Sequence, residues 1–322
     1  MGDKFWEGIG EKLADRWAAV SVPALIFWLG GLFSWMLGHG GINALDQPAA
    51  WIGKHSAVVQ AAIILTVLLL VAATGVVVAR LTGPALVFME GYWPRPLQPL
   101  RDWLTGRVSR KAASANERFQ ELAGLVDDGK ATDRQRDEYA RIDHKLRRLP
   151  TGRRLLPTRT GNTLRASETR PIDKYGLDAV ALWPHLWLLM PDATLSELAA
   201  ARKSLDAAVS ACVWGLLFVV FTPLTWWALP AGLLVAATAA WVWVPARAEV
   251  FADLVEAAFD LHRSTLYQKL RWPLPGNPAE ERTSGRRLTQ YLMRGLSGTT
   301  PAFTGSAAVD PLAVSETTEA PP

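Results

Sequence analysis

Four carboxylates, Glu249, Asp253, Glu256 and Asp260, recur at spacings of 4, 3 and 4. In a helix that spacing puts all four on one face. Such a row can do acid–base work, attract cations at a pore mouth, dock arginines, or simply be solvated. No nucleophile and no metal-ligand pattern accompanies these residues. They are therefore read as a candidate docking face, with a solvated surface and a cation vestibule as the other readings.

The candidate partners are basic. Between Arg141 and Arg170 there are nine Lys and Arg residues against two acids, Asp143 and Glu168. Arg153, Arg154, Arg159, Arg165 and Arg170 dominate the second half of that segment. Such a cluster can fix topology, hold anionic lipid headgroups at ~1 kcal/mol per basic residue, or bind nucleotide or nucleic acid. No Phe, Trp or Tyr is interleaved between 141 and 170, Gly161 is isolated from other glycines, and no GxxxxGK[ST] run exists. No specific nucleic-acid site is therefore evident. The expected contacts are the bilayer and anionic headgroups.

His39, His55, His144, His185 and His262 show no metal spacing, and the single Cys212 excludes an internal disulfide or a Cys-based zinc site. No catalytic residue, cofactor or metal is expected.

The elements that must position these charges are set by where charge is missing. Half of the 322 residues are hydrophobic, which alone does not exclude a soluble protein. However, residues 17–45, 55–79 and 207–246 contain no Lys, Arg, Asp or Glu. About 20 such residues cross a bilayer as a helix. The last run is long enough to cross twice, and Pro223, Trp226, Trp227, Pro230 and Gly232 mark a turn within it. The expected fold is an all-α integral membrane protein with two transmembrane helical hairpins, four spans in all, separated by a helical cytoplasmic insert. Spans are expected near 18–38, 57–79, 207–226 and 231–247.

Orientation follows from the basic residues. Of 34, only Lys54 lies between spans one and two, and none lies between spans three and four. The amino-terminal segment carries three, residues 80–206 carry 22, and residues from 247 onward carry eight. Both termini and the insert are expected in the cytoplasm. Arg outnumbers Lys 25 to 9, a high-GC usage that points to a bacterial plasma membrane. The expected divisions are an amino-terminal segment 1–16, hairpin one 17–80, the insert 81–206, hairpin two 207–247, cytoplasmic helices 248–296 and a disordered tail 297–322.

Within the insert, Val108, Ala112, Ala115, Phe119, Leu122 and Val126 form one seam, and Tyr139, Ile142, Leu146 and Leu149 a second. Thr132 and Gln135 form a capping box between them. Residues 107–149 thus read as a helical hairpin, packing on itself or extended as an inter-subunit coiled coil. Residues 175–191 carry Trp183, Pro184 and Trp187 and are too short to span. They read as an interfacial, re-entrant or buried core segment. Asn277, Pro278 and Glu280 start a last helix. Its Arg282, Arg286, Arg287 and Arg294 suit an anionic lipid surface.

Three stretches, LPTRTGNTLRASE (156–168), YGLDAVALWPHLWLLMP (175–191) and FDLHRSTLYQKLRWPLP (259–275), resemble segments of uncharacterised multi-pass membrane proteins of high-GC bacteria. The resemblance implies a class and no activity. The order of spans is similar to that of bestrophin-like channels, an analogy of architecture. The functional expectation is a non-enzymatic membrane protein whose cytoplasmic module mediates assembly or partner binding, homo-oligomerisation included. The alternatives are an oligomeric ion channel and a membrane-bound enzyme of unknown type.

Overall fold

The computed structural model describes residues 22–151, 155–295 and 303–304. It is all-α, 83% helical, with no strand among the described residues. Helices satisfy their backbone groups internally, which an apolar layer requires. The helices are α1 (Val22–Gly38), α2 (Asp46–Gly53), α3 (Ala57–Glu90), α4 (Gln98–Asp127), α5 (Asp133–Arg147) and α6 (Arg159–Tyr175). They continue as α7 (Ala179–Trp187), α8 (Asp192–Phe218), α9 (Ala228–Thr238), α10 (Val244–Lys269) and α11 (Pro278–Arg294).

Three helical runs, Ala57–Asp127, Asp192–Phe221 and Ala228–Lys269, are long and apolar enough to cross a membrane. Val22–Gly38 and Gly41–Gly53 are apolar enough only when taken together, as a pair bent by 107° between its halves, which makes a fourth candidate if counted as one span. The bend falls at Gly40 and Gly41, whose φ of 95° and 84° lie where only glycine is unstrained. The chain divides into two compact units. One comprises Met1–Leu149, Arg154–Leu164 and Ala199–Phe251; the other comprises Pro150–Arg153, Arg165–Leu198 and Ala252–Pro322.

In the first unit, lipid-soluble helices cannot be held together by the hydrophobic effect alone, and small residues bring them into contact. Gly30 lies under the ring of Phe218, Gly31 under Phe221, and Gly38 against the Leu224 carbonyl. Gly215 and Gly232 meet where α8 crosses α9. Phe27 adds ring contacts to Trp214 and Phe221, both at 5.0 Å. Trp28 Nε1 donates to Thr74 Oγ1 at 3.0 Å, tying α1 to α3. On α3 the buried residues Val71, Gly75, Val78, Thr82 and Leu86 form one stripe, and most of the other faces are exposed. A five-residue π-helix, Ala239–Trp243, precedes Pro245. The wider turn accommodates a ring that would otherwise clash with the carbonyl four residues back.

The boundaries differ from the sequence reading in four places. Residue 81 does not open the insert: residues 81–89 continue the apolar helix and complete α3, which reaches 34 residues. That length, roughly 51 Å as helix, exceeds a hydrocarbon layer of ~30 Å. The helix preceding the 127–132 turn starts at Gln98 rather than near 107. The third apolar helix ends at Phe221, short of the expected 226. Residues 159–175, read only as a basic segment, are helical throughout as α6. The expected tail from 297 lies outside the described residues, apart from 303–304.

α4 and α5 pack as a hairpin around Leu122, which is fully buried. Phe119 stacks on Tyr139 with centroids 4.7 Å apart, and Arg118 binds Glu138 at 3.0 Å. Thr132 and Gln135 make the full capping box.

In the second unit, Leu182 and Leu186 are fully buried, whereas Val180 and Leu188 are exposed. α7 is thus an amphipathic helix with a buried face inside this unit, capped by Asp178, which accepts from the Val180 and Ala181 amides. Trp183 lies 5.9 Å from Phe259 of α10. Asn277 caps α11 by accepting from the Ala279 and Glu280 amides. Gly285 lets α11 rest directly on the Tyr175 carbonyl, and Trp272 Nε1 donates to Ser284 Oγ at 3.1 Å.

Candidate functional site

The start of α6 is locked by its own polar residues. Asn162, 2% exposed, accepts from the Leu156 amide at 2.7 Å and donates to the Leu156 carbonyl at 2.7 Å. Gly161 lies against the Glu90 carbonyl, so α6 begins in contact with the end of α3. A side chain at 161 would push the two backbones apart.

From that anchor, α6 aims its cations at α10. In the first unit, Arg159 Nη2 donates to Glu249 Oε1 at 2.6 Å. In the second, Arg170 pairs with Glu256, and Lys174 Nζ reaches Glu256 Oε1 at 2.7 Å and Asp260 Oδ2 at 3.2 Å. Positions 159, 170 and 174 meet 249, 256 and 260 in the same order. The Glu249 and Glu256 side chains are only 19% and 17% exposed, so they do not form a solvated face.

The lower end of the row is a denser network. Tyr175 Oη donates to Asp260 Oδ1 at 2.6 Å, and the Arg263 guanidinium sits 4.1 Å from the centre of the Tyr175 ring. Arg263 Nε binds Glu281 Oε1 of α11 at 2.8 Å. Burial and the bond to Asp260 push the Tyr175 phenol up to about 12. Burial works against the charged form of Lys174, yet its hydrogen bonds with Glu256 and Asp260 outweigh that and leave its pKa raised. For Arg263, too, burial opposes the charge while the bond to Glu281 raises the pKa. Both cations are thus held firmly in their charged forms.

Of the residues singled out in the sequence, Arg159, Arg170, Glu249, Glu256 and Asp260 enter these pairs. Asp253 is exposed and Arg165 half-buried; each is engaged in an interaction. Arg153 and Arg154 lie outside the described residues. Lys174, Tyr175, Arg263 and Glu281 complete the network and were not singled out. A signal existed: Lys174 is one helical turn past Arg170, and Arg263 one turn past Asp260.

Chemically the arrangement is a set of matched fixed charges. Among the described residues, no group of three or more His, Cys, Asp or Glu is placed to hold a metal ion. A row of this kind sets the position of two helices, and salt or a competing polyanion weakens it. Compared with known protein families, curated proteins and solved structures, the chain matches none.

Proposed function

We propose that this chain is a four-span protein of a bacterial plasma membrane, with the insert and both ends in the cytoplasm, that acts by assembly and partner binding rather than by catalysis. The observation that carries the reading is the row of ion pairs between α6 and α10. It ties the basic helix of the insert to the helix that continues from the last apolar run. The same cations are the groups that anionic headgroups or an acidic partner surface would recognise. A ligand of that charge competes with Glu249, Glu256 and Asp260 and releases the insert, which converts binding into a change of helix arrangement.

Two experiments test this. Single cysteines replacing Leu45, Lys130 and Thr300 in a Cys212→Ala background are probed with an impermeant thiol reagent in intact cells. Only the residue 45 variant should be labelled; labelling of the other two with 45 silent overturns the topology. Purified protein should then bind vesicles containing phosphatidylglycerol more tightly when Glu256 is replaced by Gln, because Arg170 loses its carboxylate and Lys174 keeps only Asp260. Unchanged binding removes the competition. Ion conductance in planar bilayers would replace this reading with that of a channel.

A further inference from the structure

Within the first unit, α1, α3, α8 and α9 border a groove of about 950 Å³. Its charged lining is confined to Arg202, Lys203 and Asp206 on α8, and it extends along that helix to Phe218. The sixteen helical rises from Arg202 to Phe218 make the groove roughly 24 Å long, more than the ~15 Å of one leaflet.

Two rows of small residues create the space. Gly75, Ala79 and Gly83 recur every four residues on α3, and Ala207, Ala211 and Gly215 do so on α8. Rows of this kind usually bring membrane helices into contact; here they border an opening. Apart from its charged end, the lining has two hydroxyls: Thr82, which already donates to the Val78 carbonyl at 2.9 Å, and Ser210. An apolar cavity of this size calls for an apolar filler.

The charged end selects which one. Arg202 is tied to Asp206 at 3.2 Å, which neutralises that pair. Lys203 is exposed and forms no ion pair among the described residues. Among the described residues, Lys203 is thus the one cation of the lining without a carboxylate, at the charged end of a groove whose remaining lining is mostly apolar. We infer that the groove holds one membrane phospholipid with an anionic headgroup, its phosphate at Lys203 and an acyl chain along the two small-residue rows. This rests on the membrane placement of these helices, and the thiol-labelling experiment reports a failure of that placement separately.

The probe is phosphatidylglycerol against phosphatidylcholine, offered in equal amounts to the full-length protein in mild detergent. Lipid retained after gel filtration is counted by native mass spectrometry. Wild type should keep one phosphatidylglycerol and little phosphatidylcholine, and excess inorganic phosphate should not displace it. Lys203→Gln should lower the preference roughly fivefold, as expected for one basic residue at a membrane surface. Gly83→Leu should lower retention of both lipids, because a side chain at 83 meets no atom within 4 Å and grows into the groove. A Gly83→Leu protein that melts like wild type keeps that result interpretable. Equal retention in wild type and both variants overturns the proposal. So does displacement by inorganic phosphate, or retention that rises when residues 2–15 are deleted, which would assign the groove to the amino-terminal segment.

Discussion

Arg159 and Glu249, ninety positions apart, meet at 2.6 Å, and they do so with unequal exposure: 67% for the arginine side chain and 19% for the glutamate. The pair is a rim contact. The Arg170–Glu256 pair, at 22% and 17%, is withdrawn from solvent on both sides. A double-mutant cycle on Arg159 and Glu249 should therefore return no more than about 1 kcal/mol of coupling, falling with added salt. Glu256→Gln removes the carboxylate that Arg170 and Lys174 share, and its cost should exceed that of the rim pair while staying below the about 3–5 kcal/mol of a broken fully buried pair. Denaturation of the detergent-solubilised protein measures both. Equal costs for the two would mean that burial does not grade this row.

The helical hairpin offers a cleaner contrast. Leu122 is fully buried and Glu121 is exposed on the same helix. Leu122→Ala should cost about 2–5 kcal/mol, and Glu121→Ala less than about 1 kcal/mol, the value of an exposed pair with Arg118. A calorimetric scan that moves equally for both would displace the seam.

Glycine at helix crossings gives a prediction of opposite signs. Gly285→Ala places a methyl group on the Tyr175 carbonyl and should destabilise by about 1–3 kcal/mol. Gly124→Ala, inside α4 with nothing within 4 Å, should stabilise by about 0.5–1 kcal/mol. Melting temperatures that shift in the same direction would contradict the packing of α11 on Tyr175.

Alkaline titration should report on Tyr175. Its phenol is raised from 10.0 to about 12 in the folded chain, so folding favours the protonated form. The contribution is fully present below pH 10 and is lost as pH climbs through 12, because the unfolded chain releases its proton first. Tyr175→Phe should flatten that part of the stability profile and remove one late tyrosinate from the absorbance titration. A profile unchanged by Tyr175→Phe would place the alkaline loss elsewhere, for instance at Tyr267, whose buried phenol is also raised.

Much of this fold is written locally. The charge-free runs set which segments are apolar helices, because the cost of charge in hydrocarbon is paid residue by residue. The cap at Asn277 and the box at Thr132 and Gln135 are legible for the same reason: donor and acceptor lie within one turn. The spacing of Glu249, Asp253, Glu256 and Asp260 fixes a common helix face without any knowledge of what that face meets. α6 was hidden, because Pro171 sits inside it and a dense run of Arg, Thr and Ser carries no strong apolar period. Which cation meets which carboxylate was likewise beyond a local reading. Arg159 finds Glu249 and Lys174 finds Asp260 across 90 and 86 positions, through contacts such as Gly161 on Glu90 and Gly285 on Tyr175 that depend on backbones approaching closely. The groove above Lys203 belongs to the same class. Small residues in a row state only that space is available, and the neighbouring helices decide whether it closes as a contact or stays open as a site.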